Sequence, residues 1–289
     1  MAGLSEVLRR IETYYDAVPR AASRVEELPP LRLFVKQGSG WPYCARPAAA
    51  DSTAVIFSAD HVARVRARQR ELGLPETFEW VAEAAPGLRT AVREAGLHVH
   101  DHPLMALDRA ARAGTARIHA PAGVAVRLVG ADESDEVLAR MDAVASLGFA
   151  AAGTAVGEAG LAAVAAKAWE ATPAELAFRR ERLRSGRTVS AVAEIADPTH
   201  ACNGWPVSVG SHQPVGEISE VVGVATLPSF RRRGIGAAVV DVLVDDALRR
   251  GVRTVFLSAG DDDVARMYAR LGFQRLATAC VAEPPAAGA

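Results

Sequence analysis

The sequence is poor in the residues from which metal sites, disulfide frameworks and nucleic-acid surfaces are built. Its three cysteines, Cys44, Cys202 and Cys280, stand in no Cys-x-x-Cys or Cys/His spacing, which excludes a zinc site of the usual kind. Three isolated thiols also form no disulfide framework and suit a reducing compartment, so a cytoplasmic protein without a metal is expected. Lysine occurs only at Lys36 and Lys167, and 33 basic against 34 acidic residues leave a formal net charge of -1. A chain devoted to nucleic acid needs a surplus of cations against phosphate, and this one has none. The Arg-rich stretches 64–70 and 179–184 interleave Glu and apolar residues, the pattern of solvated helix faces. No run of about 18 apolar residues is present to cross a membrane. Glu6, Arg9, Arg10 and Glu12 leave no apolar segment for a signal peptide.

What is present is a chain of 289 residues, 50% of them hydrophobic, long enough for two ordinary domains. Periodicity and turn signals predict a helix over residues 4–15 and strands over 31–36 and 41–46, separated by Gly38-Ser39-Gly40. A charged helix over 59–72 closes at Gly73, a strand covers 77–81, and Pro86 introduces a helix over 87–95. A strand at 103–107 and a small, charged linker at 109–123 complete this half. Beyond it the pattern predicts a strand at 124–129, helices at 132–147 and 174–184, and strands at 189–195, 206–210 and 217–226. A helix follows Gly234 as far as residue 250, then a strand at 254–258, a helix at 262–271 and a strand at 274–281. Two domains are expected, 1–118 and 122–283, with a disordered tail at 284–289. The order is that of a mixed α/β layer architecture.

One segment carries chemistry. The apolar strand ending at Val224-Ala225-Thr226 runs through Leu227-Pro228 into Arg231-Arg232-Arg233-Gly234-Ile235-Gly236 and a helix. At such a turn the first helical N–H groups have no partner, and with the helix dipole they form an anion site. Gly234 and Gly236 let backbone approach a phosphate where a Cβ would obstruct it. The segment lacks the Gly-Lys-Ser/Thr ending of a Walker loop, and Val239 stands where a Rossmann fingerprint has its third glycine.

Strand, Leu-Pro-x-Phe and Arg-x-x-Gly-x-Gly together resemble motif A of the GNAT acetyltransferase superfamily. Downstream, Ala265-x-x-Tyr268-x-x-x-Gly272-Phe273 resembles its motif B. The resemblance covers about residues 124–283. It implies a GNAT fold, with a mostly antiparallel, splayed sheet flanked by helices, and acetyl transfer from acetyl-CoA to a primary amine. Val224, Ala225 and Thr226 would pair with the pantetheine arm, and Arg232, Arg233, Gly234, Ile235, Gly236 and Ala237 would hold the pyrophosphate. Tyr268 would protonate the departing sulfur.

Acyl transfer to an amine also needs a base. Glu220 stands on the motif A strand at a position that resembles the base of histone-type members. Alternation would put it on one face with Val222 and Val224. Glu217 and His212 are weaker candidates, a water is another, and Asp261 reads as the N-cap of the Tyr268 helix. The acceptor, a small molecule or a peptide, is decided elsewhere, between residues 150 and 174 with Trp169, or near Trp205. A homodimer is compatible with the family.

The first 118 residues repeat the order helix, strand, helix, strand. Leu88 to Leu97 can be laid on Val264 to Phe273 with Val92 in place of the tyrosine, and no Arg-x-x-Gly-x-Gly precedes the 59–72 helix. This half resembles the degenerate N-terminal unit of tandem GNAT proteins, which would support the catalytic half without binding CoA. A non-catalytic CoA-binding module is the competing class of function.

Overall fold

A computed structural model describes residues 5–38, 40–114, 116–151 and 153–285. Leu4, Ser39 of the expected turn, Thr115 of the expected linker and the last four residues of the expected tail lie outside them. The chain forms two compact units, one of Met1–Leu104 with Arg275–Ala289 and the other of Met105–Gln274. These differ from the 1–118 and 122–283 expected, because the chain passes between units within two strands rather than at the linker.

The first unit begins with α1 (Glu6–Arg20), capped by Ser5, whose Oγ accepts from Leu8 N at 3.4 Å. Leu8, Ile11, Tyr14 and Tyr15 form its buried stripe. The chain continues through β1 (Ser23–Leu28), β2 (Leu31–Lys36), β3 (Arg46–Pro47), α2 (Ala59–Glu71), β4 (Phe78–Val81), α3 (Leu88–Glu94) and β5 (His98–Leu107). β1, β2 and β3 make an antiparallel sheet. The sequence pattern misses β1, whose Glu26 pairs with Arg68 at 2.8 Å. The strand expected at 41–46 shrinks to the two residues of β3. Phe78 and Trp80 of β4 lie fully buried among Leu31, Leu33, Val62, Val65 and Val92.

The second unit continues with α4 (Arg109–Ala113), β6 (Val124–Val129), α5 (Asp135–Ala150), α6 (Leu161–Ala168) and α7 (Pro173–Arg184). Then come β7 (Val189–Ile195), β8 (Pro206–Val215), β9 (Ile218–Thr226), α8 (Ile235–Arg249), β10 (Thr254–Ser258) and α9 (Asp262–Ala269), while β11 (Phe273–Glu283) returns the chain to the first unit and there pairs with β4. The strands of the second unit lie in the order β10-β9-β8-β7-β6. All neighbours are antiparallel except β10 with β9, which is parallel and therefore needs the α8 crossover. This is the mixed α/β, mostly antiparallel architecture expected. β7 is buried on both faces at five successive residues, as befits a strand between helix layers.

The stretch expected to be a linker is held within this unit. Arg112 of α4 pairs with Asp241 at 2.8 Å and donates to Asp245 at 2.9 Å, and Arg117 also reaches Asp245. Its small residues read as flexible because the partners lie about 130 residues away, beyond any local signal.

Under the sheet, His212 is wholly buried between Ser219 Oγ (2.8 Å from Nδ1) and Asp246 Oδ2 (3.0 Å from Nε2). Asp246 is also bonded by Arg250 at 2.5 Å. Burial holds the imidazole below its ordinary pKa, and Asp246 only partly offsets this. Below about pH 6.5 the unfolded chain therefore binds a proton that the folded ring refuses. Stability is full above that pH and is lost as pH falls through the window. The urea midpoint of His212→Gln should change less between about pH 7.5 and 5 than that of the parent; equal slopes would contradict a buried neutral ring.

Candidate functional site

The site is built where β9 leaves its neighbour. The parallel register runs Thr254 with Ile218, Val255 with Ser219 and Phe256 with Glu220, and stops there. β9 continues to Thr226 and β10 to Ser258, so their carboxyl ends part and leave one edge of β9 without a strand partner. Parallel strands take ligands in a crevice of this kind, beyond their carboxyl ends.

A bulge shapes that edge. Against β8, Val209 faces Ala225 but Ser211 faces Val222, so β9 spends one extra residue opposite Gly210. Gly223 takes a φ of 64° there, open to glycine at no steric cost. Before the bulge, Ser219 and Val221 share the α8 face with His212, and Glu220 and Val222 point the other way. After it, a Cβ on Gly210 would meet Val224 Cγ2 at 3.2 Å and Val239 Cγ1 of α8 at 3.0 Å. Val224 has crossed to the α8 face. The single face expected for Glu220, Val222 and Val224 is thus divided, because one added residue inverts a period of two.

The backbone obeys the same parity. Leu227 N–H donates to Val207 O at 2.9 Å on the β8 side. Ala225 points the same way, and its carbonyl accepts from Ser208 Oγ at 2.9 Å. Val224 and Thr226 turn their peptide groups to the open edge, where Thr226 O accepts from Arg231 Nε at 3.3 Å. Of the three residues expected along the pantetheine arm, two face the gap and Ala225 does not.

Beyond Thr226 the chain makes a short 3-10 turn, Pro228–Phe230, and enters the Arg/Gly segment. Arg232 has a φ of 63° and Gly234 a φ of 77°. For an L-residue such as Arg232 the left-handed region costs about 1–2 kcal/mol. Alternation of this kind curls successive N–H groups into a concave anion nest. No N–H from Arg232 to Ala237 donates to a described residue; Ala238 N is the first to bond, to Gly234 O at 3.0 Å. Six successive donors with the positive end of α8 behind them suit a pyrophosphate. A Cβ on Gly236 would lie 3.0 Å from Thr226 Oγ1, so its bareness also lets α8 sit close on β9.

The three arginines divide the work. Arg231 Nη2 donates to Gly148 O at 2.6 Å and Ala151 O at 2.9 Å, and Nη1 to Ala155 O at 3.3 Å. It caps the final carbonyls of α5, where a cation is favoured by the dipole. Arg232 and Arg233 are exposed, and the Arg233 guanidinium lies 5.3 Å over the Phe230 ring.

Tyr268, on α9 after the open end of β10, is 6% exposed and edge-on to Phe273 at 5.9 Å. Burial pushes its phenol above the ordinary value of 10, so it stays protonated at neutral pH. Its hydroxyl bonds to no described residue. Ser258 Oγ, at the end of β10, is buried and also without a partner. Sequence reasoning missed this hydroxyl, for a serine ending a strand carries no signal of its own. Glu220 is half-buried at the vertex of the gap.

Other candidates stand elsewhere. His212 is sealed against Asp246, which removes it as a base. Glu217 lies before the start of β9, paired with Arg253 at 3.0 Å, on the side where β9 and β10 are still joined. Asp261 Oδ1 accepts from Val264 N at 2.7 Å, the N-cap role expected of it. Trp205 lies against the Arg140 guanidinium at 3.9 Å, and Trp169, closing α6, is 90% exposed. Among the described residues no cluster of three His, Cys, Asp or Glu could hold a metal, and no helix is long and apolar enough to cross a membrane.

Comparison with known proteins meets this geometry. Residues 168–273 match the acetyltransferase (GNAT) family. That span holds β7 to α9 and hence the parted strands, the nest and Tyr268. The fold is similar to that of a GCN5-related N-acetyltransferase from Kribbella flavida, with a TM-score of 0.68 and 23% identity over 98% of this chain and 97% of that one. A GCN5-related N-acetyltransferase-like protein from Streptococcus suis gives 0.53 and 13%, covering 97% and 99% of the two chains. A tandem GNAT protein from the clavulanic acid biosynthesis pathway gives 0.53 and 18%, covering 88% and 78%. No curated protein matches by sequence. The GNAT fold is thus present, and the GNAT sequence signature falls on the site.

Arg231→Ala strips the cap from α5 and should destabilise the protein by about 2 kcal/mol. Arg232→Ala, on the exposed rim, should stay within about 0.5 kcal/mol. Urea denaturation of the two variants separates the roles, and equal losses would show that they are not divided.

Proposed function

We propose that the unit Met105–Gln274 is an N-acetyltransferase that moves the acetyl group of acetyl-CoA directly to a primary amine on a small molecule or peptide. The observation that carries this is the run of six unpartnered amides at α8, set beside the parted β9 and β10 within the GNAT-matching segment.

Acetyl-CoA, when bound, supplies the acetyl group as an activated thioester. Arg232 to Ala237 fit its pyrophosphate, and the open-edge peptide groups of Val224 and Thr226 fit the amide-bearing arm. Tyr268 holds its proton through burial and presents a hydroxyl with no competing partner, the state needed to protonate a departing sulfur. Glu220, at the vertex, would take the proton of the incoming amine. The first 118 residues would be a supporting, degenerate GNAT-like half. α2, β4, α3 and β5 follow the order expected of it, but Val92 of α3 replaces the tyrosine and no Arg-x-x-Gly-x-Gly precedes α2.

The test is a thiol-release assay with acetyl-CoA and a panel of amines, beside calorimetric CoA binding. Tyr268→Phe should lower kcat by roughly tenfold or more with acetyl-CoA affinity nearly kept. Gly234→Glu, which adds a side chain and a negative charge to the nest, should abolish CoA binding. CoA binding with no transfer to any amine would favour the non-catalytic module, and absence of CoA binding would remove the reading altogether.

A further inference from the structure

The unit Met1–Leu104 with Arg275–Ala289 contains a cavity of about 140 Å³ with features that point to a ligand of its own. It is lined by Glu12, Thr13 and Asp16 of α1, Arg32 of β2, Arg46 of β3 and the chain after β3 as far as Ala50. Thr13 and Ala49 are exposed at its mouth, while Glu12 and Arg46 lie buried at its floor. Arg46 has only 5% of its side chain exposed, and Glu12 only 4%.

Arg46 is held rigidly. Its Nη1 donates to Glu79 at 2.9 Å, and its guanidinium lies 4.1 Å over the Tyr15 ring. Its Nη2 is buried with no hydrogen-bond partner, and the Glu12 oxygen that attracts it is 3.6 Å away, beyond bonding range. Glu12 is fixed by its other oxygen, which accepts from Val81 N at 3.2 Å. A buried cationic donor left unmade costs free energy, so such a group calls for an acceptor that enters from the cavity.

The lining decides which acceptor. Asp16 is paired with Arg32, and also with Arg20 at 2.7 Å. Two carboxylates and two guanidiniums thus face one small space, with no net charge. A simple anion satisfying Arg46 would meet Glu12 and Asp16 with like charge, and a simple cation would leave Arg46 unpaired. A net-neutral ligand carrying both charges satisfies the set. The volume is well below the roughly 300–1,000 Å³ of sites for drug-sized ligands.

We propose that this cavity binds a small free α-amino acid, its carboxylate on Arg46 Nη2 and its ammonium against Glu12 and Asp16. The site lies wholly in the unit without the GNAT signature and stands independently of the acyl-transfer reading.

Titration calorimetry and thermal melting of the full chain with glycine, L-alanine and L-serine test it, with acetate and ethylamine as half-ligands. At least one amino acid should bind saturably and raise Tm, with each half-ligand weaker by roughly tenfold or more. Arg46→Lys, which keeps the charge but loses the second nitrogen of the fork, should weaken binding by roughly tenfold. If circular dichroism shows that Arg46→Lys does not fold, Thr13→Trp, at the exposed mouth, should abolish binding with the fold kept. No binding by any amino acid, acetate binding as tightly as an amino acid, or undiminished affinity in the folded variant would overturn the proposal.

Discussion

A strand inside a sheet has its peptide groups satisfied from both sides, and the second unit is arranged around a place where this fails for an inner strand. β9 keeps β8 along its length but loses β10 after Glu220. The parting is sustained by the bulge at Gly223, by α8 seated on one face and by α5 on the other. Each rests on a local exception: a positive φ in a strand, a bare Cα at Gly236, an arginine plugging the end of α5. The peptide groups of Val224 and Thr226 are thereby turned away from β8, with Thr226 O met by Arg231.

The electrostatics follow the same division. Arg231 spends its donors on four backbone carbonyls and is part of the scaffold. Arg232 and Arg233 stand exposed on the rim, Arg233 with one nitrogen donating to Ser229 O at 3.4 Å. The nest between them works through backbone N–H groups aligned with the dipole of α8, which need no side-chain entropy to be ordered. Tyr268 adds a neutral hydroxyl in a dry setting, where a hydrogen bond to developing charge is worth more than in water.

Most of the second unit was legible in the sequence because its signals are local. β6, β7 and β10 stand where apolar runs bounded by turns put them, and α7 begins at its Thr172-Pro173 cap. The failures have physical causes. β1 carries Glu26, which pairs with Arg68 far along the chain, and residues 109–123 read as linker because Asp241 and Asp245 are distant in sequence. Glu220, Val222 and Val224 were read with a period of two, which one inserted residue inverts. Gly223 inside an apolar strand was the available sign of a bulge. His212 read as a candidate base because a histidine's burial between Ser219 and Asp246 is a property of packing, which composition does not carry.

The sequence by itself determined most of the order of elements and the glycine-bearing turn that opens α8, since helix starts, glycines and motif spacings are encoded within a few residues of where they act. Tertiary structure decided which of those residues face the opening. It turned Ala225 away and Val224 toward the gap, assigned Arg231 to the scaffold, sealed His212 under the sheet and left Arg46 an unbonded nitrogen in a cavity. Those outcomes depend on strand register and on partners many residues apart, which meet only when the chain is folded.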